Sequence, residues 1–106
     1  MELKHLNKDE FEQAVNAGDE LVVVDFFATW CGPCKMLGPV IRTGGRQILL
    51  DVHFIKVDID EEMDLAARFQ VMSVPTLIYF KRGEVLSKSV GLVSPADIDK
   101  EISKLK

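Results

Sequence analysis

The sequence has 106 residues, 47% of them apolar, which suits one hydrophobic core and is too little for two, so we expect a single domain over residues 1–106. With 17 acidic and 13 basic residues the formal net charge is −4, and the basic residues are scattered. This argues against nucleic acid or anionic membrane as the main partner. Residues 1–10 hold no continuous apolar run, so we expect no signal peptide or membrane span and predict a cytoplasmic protein.

The first third of the chain predicts a strand, a helix and a second strand. A short strand around residues 4–6 is followed by a helix that Asn7 can cap and that Gly18 can end. Residues 21–28 form a near-continuous run of apolar, β-branched and aromatic residues. Such a run is typical of a strand covered on both faces, as in a parallel sheet.

A second helix is predicted after residue 30. Pro33 suits its first turn, and apolar residues then recur at helical spacing, namely Met36, Leu37, Val40 and Ile41. Pro39 should kink this helix. Gly44 and Gly45 each cost about 1 kcal/mol relative to alanine inside a helix, so we expect an interruption within residues 43–47.

The second half predicts a strand over residues 52–59 and a short helix over 63–69. The acidic stretch at 58–62 suits the start of that helix, because carboxylates are favourable at a helix N-terminus. Two further strands, 76–81 and 85–90, flank a short glycine-containing turn and are expected to form a hairpin.

The last element is predicted to be an amphipathic helix. Ser94 can cap it, Pro95 suits its first turn, and one stripe is apolar, made by Ile98, Ile102 and Leu105. The resulting order, β-α-β-α-β-α-β-β-α, predicts an α/β fold with a mixed five-stranded sheet flanked by four helices.

Cys31 and Cys34 are the only cysteines, and they lie directly after a predicted buried strand, at the start of a helix. A disulfide closing so short a loop contributes little stability, so reversible chemistry explains the pair better than a structural bridge. The helix N-terminus favours the thiolate of Cys31. Cys34, one turn further along, can then attack a mixed disulfide formed by Cys31 and release the substrate.

The alternative is half of a zinc site, because a Cys-x-x-Cys pair also holds structural zinc. Two more ligands would be needed, and the chain has only His5 and His53, with no matching spacing. We therefore expect no metal.

A wider pattern resembles the thioredoxin family along the whole chain, in order and spacing. It consists of Trp30-Cys31-Gly32-Pro33-Cys34-Lys35, preceded by Asp25-Phe26-Phe27-Ala28 and followed by Val74-Pro75-Thr76 and Gly91. The resemblance implies the thioredoxin fold and a protein-disulfide reductase without a bound cofactor. It also implies disulfide-containing client proteins and recharging by a thioredoxin reductase. We expect a monomer.

Asp25 is unusual because an ionised carboxylate in an apolar strand is costly unless it is paired. The pattern leaves open whether it faces water or is a buried acid with a raised pKa. The resemblance implies the second, with Asp25 moving a proton to or from Cys34. Lys56 is a natural counter-charge, although its ammonium could equally reach solvent.

The remaining predicted site residues would bind substrate: Trp30, Gly32, Pro33, Val74, Pro75 and Gly91. Trp30 could be a core aromatic, but the resemblance implies an exposed apolar surface. It also implies a cis bond before Pro75, with Val74 offering backbone hydrogen bonds to the substrate. Gly91 would permit the substrate chain to approach closely, although a structural role in a turn explains a glycine there equally well.

Two other functions compete with a reductase: an oxidase or isomerase of an exported compartment, and a binding module that kept only the fold. The dipeptide between the cysteines is Gly-Pro and lacks the histidine that more oxidising relatives often carry. The reductase is therefore favoured. Replacing both cysteines would distinguish it from a binding module, whose function would survive that change.

Overall fold

The computed structural model describes residues 4–5, 8–16, 18–36 and 51–106. It contains β1 (Lys4–His5), α1 (Lys8–Asn16), β2 (Leu21–Phe27), β3 (Val52–Asp58), α3 (Met63–Arg68), β4 (Thr76–Lys81), β5 (Glu84–Val90) and α4 (Pro95–Leu105). Residues 32–36 are also helical and are called α2. The described parts thus follow the predicted order of elements. None of the helices in these ranges is long and apolar enough to cross a membrane.

The strands form one mixed sheet in the order β1-β3-β2-β4-β5. β3 runs parallel to both β1 and β2, whereas β4 is antiparallel to β2 and β5 is antiparallel to β4. Four strands have six or seven residues, and the fifth, β1, is a two-residue segment at the edge. The predicted mixed α/β architecture is confirmed.

β2 is the central strand, and six of its seven residues are buried because both faces of the sheet are covered. On one face Leu21 and Val23 pack with Ile98 and Ile102 of α4. On the other face, the alternate β2 residues Val22, Val24 and Phe26 pack against the two helices α1 and α3. The helices contribute Phe11 and Val15 from α1 and Leu65 from α3. Burying one side chain of this size stabilises the folded state by about 1.5–3 kcal/mol. The many buried side chains in these two layers therefore hold the sheet between the helices.

The hairpin and the last helix form as predicted. Arg82 and Gly83 both have positive φ, 52° and 82°, and they join Lys81 to its partner Glu84 by a two-residue turn that matches the twist of the strands. At the start of α4 the Oγ of Ser94 accepts the backbone N–H of Asp97 at 3.1 Å.

Some predicted boundaries move by a residue. β2 and β3 end one residue early, α3 ends at Arg68, and β5 begins at Glu84. Asp58 does not lead into the helix as expected: it is the last residue of β3 and is buried. The predicted Asn7 cap, the kink at Pro39 and the interruption within 43–47 lie outside the described residues.

Candidate active site

Four chain segments meet at one edge of the sheet because of the strand directions. The end of β2, at Phe27, lies opposite Asp58 at the end of β3. β4 runs the other way, so its first residue, Thr76, lies opposite Phe26 and also opposite Val90 near the end of β5. The loops that follow β2, β3 and β5 and the loop that precedes β4 are therefore neighbours. Most of the predicted site residues lie on these loops.

The two cysteines form a disulfide at this edge, with their Cα atoms 5.3 Å apart. Cys31 directly precedes the helical residues 32–36, and its Sγ accepts the backbone N–H of Cys34 at 3.2 Å. The N–H of Cys31 itself donates to the carbonyl of Ala28 at 3.1 Å. Once the disulfide is reduced, this N–H and the helix N-terminus at which Cys31 lies favour negative charge on its sulfur.

The loop before β4 brings a backbone acceptor to the disulfide. The Val74–Pro75 peptide bond is cis, and the carbonyl oxygen of Val74 lies 3.6 Å from the Sγ of Cys31. Gly91 has φ +93° and donates its N–H to the carbonyl of Pro75 at 2.8 Å. A side chain at Gly91 would enter open space but would be strained by that φ. The positive φ and the hydrogen bond support a turn role for this glycine, and its role in the close approach of a substrate stays a prediction.

Solvent reaches the site on the side of Trp30, Gly32 and Pro33, which are all exposed. Trp30 is 69% exposed, so it is a surface residue and not a core aromatic. Apart from the neighbouring residues and backbone of its own helix, no described atom lies within 4 Å of the point where a side chain at Gly32 would begin. The surface next to the disulfide is thus open to an approaching chain.

The indole of Trp30 is held by two acidic residues that the sequence reasoning did not single out. Its Nε1–H donates to Asp60 Oδ2 at 2.9 Å, and the N–H of Asp60 donates to Asp58 Oδ1 at 2.8 Å. Asp58 is only 3% exposed. A buried carboxylate that accepts a backbone N–H fixes the loop after β3, and this loop in turn fixes the exposed tryptophan. The sequence signal for this loop is the acidic cluster at 58–62, which by local preference indicates a helix start.

Asp25 is a buried acid, 1% exposed, and neither of its carboxylate oxygens has a hydrogen-bond partner among the described residues. Burial raises the pKa of Asp25 from 3.8 to about 7, and the positive charge of Lys56 works in the opposite direction. Asp25 lies on the same face of β2 as Phe27, which packs against Ala28, Cys31 and Cys34.

Lys56 lies directly opposite Asp25 in the register of β3 and β2. Its Nζ is 4.2 Å from the centre of the Phe27 ring, a cation–π contact. Within the described residues it makes no ion pair with Asp25, whose oxygens stay without a partner. Lys56 therefore acts on Asp25 through its field and not through a bond.

One of the two histidines considered for a zinc site, His53, lies against an acidic side chain. Nε2 of His53 lies 3.0 Å from Oε2 of Glu20, and both side chains are exposed. The described ranges hold no group of three or more His, Cys, Asp or Glu side chains that could bind a metal ion. Cys31 and Cys34 are bonded to each other.

A sequence model described as Thioredoxin matches residues 2–104. The chain belongs to the thioredoxin family. Thioredoxin-2 of Saccharomyces cerevisiae is 48% identical over 94 residues, which cover 89% of this chain and 88% of that protein.

Two solved structures are similar over nearly the whole chain. Thioredoxin from Malassezia sympodialis is 36% identical with a TM-score of 0.84, covering 97% of this chain and 90% of that one. The oxidised form of mitochondrial thioredoxin 3 from S. cerevisiae is 37% identical with a TM-score of 0.84, covering 96% and 94%. The thioredoxin fold is therefore confirmed. The protein is a thiol-disulfide oxidoreductase that works by dithiol-disulfide exchange with its Cys31–Cys34 pair.

Proposed function

We propose that the protein reduces disulfides in client proteins, that Cys31 attacks and Cys34 resolves, and that a thioredoxin reductase restores the dithiol. The observation that supports this order most directly is the hydrogen bond from the Cys34 backbone N–H to the Cys31 Sγ, at 3.2 Å. The bond is made in the disulfide form, and in the reduced form the same donor would favour a thiolate on Cys31, because donors aimed at a sulfur favour its charged form.

In the first step the Cys31 thiolate attacks one sulfur of the client disulfide. A bond forms between Cys31 Sγ and that sulfur, the client S–S bond breaks, and the other client sulfur leaves as a thiolate. The client chain then lies beside Val74, whose carbonyl is 3.6 Å from the Cys31 Sγ and can accept a backbone N–H from the client. Exposed Trp30 supplies apolar contact on the open side.

In the second step Cys34 loses its proton and attacks Cys31 Sγ. The bond between Cys31 and the client breaks, the second client thiolate leaves, and the client has gained two electrons. Asp25 takes the proton from Cys34, directly or through one bridging water. A buried carboxyl with a pKa of about 7 is suited to this, since a general base works best with a pKa near the working pH. Lys56 tunes that pKa downwards through its charge.

The order of attack is tested by trapping. We expect Cys34→Ser to accumulate a stable mixed disulfide between Cys31 and client peptides in mass spectrometry, because the resolving thiol is missing. Cys31→Ser is the matched control and should trap none. Trapping only on Cys34 of the control variant would reverse the assignment.

The reductase role is tested with NADPH, a thioredoxin reductase and a protein disulfide such as insulin. Catalytic consumption of NADPH that needs both cysteines supports the proposal. A second substrate, a small aromatic disulfide, serves for comparison, and reduction of this compound without turnover of the protein disulfide would contradict the proposal. A variant that carries both Cys31→Ser and Cys34→Ser distinguishes a redox function from a binding function, since a binding module would keep its partners after losing both thiols.

We also propose that the protein acts as a monomer in the cytoplasm. Each protomer carries both cysteines and the acid that serves them, so the chemistry needs no second chain. A similar solved thioredoxin is mitochondrial, so cell fractionation is the deciding measurement for the compartment. Light scattering that reports a dimer at working concentration would contradict the monomer.

A further inference from the structure

Met72 is the most exposed large apolar side chain in the described part of the protein. It is 95% exposed, compared with 70% for Met63 and 60% for Met36. Exposed thioethers are oxidised to sulfoxides more readily than covered ones, because oxidation follows access. Its exposure makes Met72 the first of these three to react.

The position of Met72 links that reactivity to the disulfide. Met72 is two residues before Val74, the residue whose carbonyl lies 3.6 Å from the Cys31 Sγ. The Cα atoms of Met72 and Val74 are therefore at most about 7 Å apart. Met72 therefore lies on the loop that flanks Cys31, beside which the proposed function places a bound client.

The backbone on both sides of Met72 is held in place. The Nζ of Lys88 donates to the carbonyls of Phe69 at 3.4 Å and Gln70 at 3.2 Å. On the other side, the Oγ1 of Thr76 donates to the carbonyl of Ser73 at 2.7 Å. The backbone that carries Met72 therefore needs little further ordering when a partner covers it, whereas the methionine side chain is flexible and can adapt to different client surfaces.

We propose that Met72 contacts client proteins, that hydroperoxides modify it before the other two described methionines, and that its sulfoxide weakens client docking while leaving the cysteine chemistry intact. The thioether sulfur attacks one peroxide oxygen, the O–O bond breaks and an S=O bond forms. Sulfur gives up two electrons, and the peroxide is reduced to water or an alcohol. A polar sulfoxide then replaces a flexible apolar group at the contact. The docking part of this inference rests on the proposed function.

The order of oxidation can be read separately for each methionine, because trypsin places them on different peptides. Met36 falls in residues 36–42, Met63 in 57–68 and Met72 in 69–81. Peroxide is added to the disulfide form, in which both cysteines are already bonded to each other. We expect the 69–81 peptide to gain one oxygen first. Earlier oxidation of either other peptide would overturn this part.

The effect on docking is tested by comparing a protein substrate with a small one. After peroxide treatment and removal of the oxidant, we expect the KM for insulin, measured as its disulfides are reduced, to rise several-fold. The rate with a small aromatic disulfide, which reaches Cys31 without covering Met72, should stay unchanged. A KM that does not move, or an equal loss with both substrates, would overturn the inference.

Two variants assign the effect. Met72→Leu keeps an apolar side chain that cannot form a sulfoxide, so its KM should be the same before and after peroxide. Met63→Leu is the matched control and should respond to peroxide as the wild type does. If the untreated wild type does not reduce insulin at all, the proposed function fails. If it does so and only the peroxide effect is missing, this inference alone fails.

Discussion

Two buried aspartates lie on neighbouring strands of the sheet and differ in what surrounds them. Asp58, at the end of β3, is 3% exposed and accepts the backbone N–H of Asp60 at 2.8 Å. Asp25, within β2, is 1% exposed and neither oxygen has a partner among the described residues. One carboxylate is hydrogen-bonded into a loop, and the other is buried in the central strand without a hydrogen-bond partner among the described residues.

The difference agrees with the roles we propose, which are structural for Asp58 and proton transfer for Asp25. Buried polar groups are normally hydrogen-bonded, and an unsatisfied one is costly. Asp58 stabilises the fold because its bond fixes the loop that holds Trp30. Asp25 destabilises the fold in its ionised form, and a proton-transfer role gives a physical reason for its presence.

The largest expected effect is on the pH dependence of stability. The folded pKa of Asp25, about 7, is above its unfolded value of 3.8, so the folded state holds the proton more tightly. Stability is then greatest below the unfolded pKa and is lost as pH rises through the folded one. The difference between these pKa values corresponds to about 4 kcal/mol of unfolding free energy as an upper bound.

The measurement is chemical unfolding of the oxidised wild type and of Asp25→Ala at pH 4 and pH 8.5. Wild type should lose more unfolding free energy than the variant over this interval. The cavity left by the substitution costs the same at both pH values, so it cancels from the comparison. Equal pH dependence in the two proteins would contradict the buried-acid interpretation.

The next effect is on the resolving step. Asp25→Asn keeps the shape of the protonated acid and cannot take a proton, so release of the client should slow by about 10²-fold at pH 7. The deficit should shrink towards pH 9, where the Cys34 thiol loses its proton to water more readily. Single-turnover release from a preformed mixed disulfide measures this. A deficit that is constant with pH would indicate a structural role instead.

Much of this comparison was accessible from the sequence. The apolar run at β2 predicted a covered strand, and the carboxylate in it therefore stood out. The Ser94 cap, the hairpin turn and the cysteine pair at a helix start depend on residues close together in the chain, and the structure places them as local rules predict. Local patterns determine these features because the contacts that decide them are themselves local.

The role of Asp58 was not predicted, and the reason is physical. An acidic residue between a strand and a helix fits a helix start by local preference. Its actual contact depends on how the loop after β3 turns back to meet Trp30, which comes from a different part of the chain. The absence of an ion pair between Asp25 and Lys56 could not be predicted either, because register places the residues opposite each other without fixing side-chain directions.

A smaller effect is expected at Asp58, whose ionised carboxylate stabilises the fold, whereas that of Asp25 destabilises it. Asp58→Ala removes the acceptor of the Asp60 N–H and should lower the unfolding free energy by about 1–3 kcal/mol at neutral pH. Asp58→Asn keeps an oxygen acceptor and should lose less. Fluorescence of Trp30, the only tryptophan, should change in the alanine variant because its loop is released. A stabilised Asp58→Ala would remove the contrast with Asp25.

The smallest effect is expected at Lys56. Lys56→Met keeps much of the side-chain packing on Phe27 and removes the charge that lowers the pKa of Asp25. The folded pKa of Asp25 should rise further, so stability above pH 7 should fall slightly and the best pH for client release should move upwards. A shift of that pH optimum downwards would show that the two groups are not coupled as described.

The most direct test of the contrast is the titration of Asp25 itself. Carbon-13 NMR of the side-chain carboxyls in the oxidised protein, assigned with Asp25→Asn, follows the protonation of this one group. The account predicts a midpoint near pH 7, because burial without a hydrogen-bond partner disfavours the carboxylate. A midpoint at or below 4 would contradict it and would mean that Asp25 is stabilised as an anion in the folded protein.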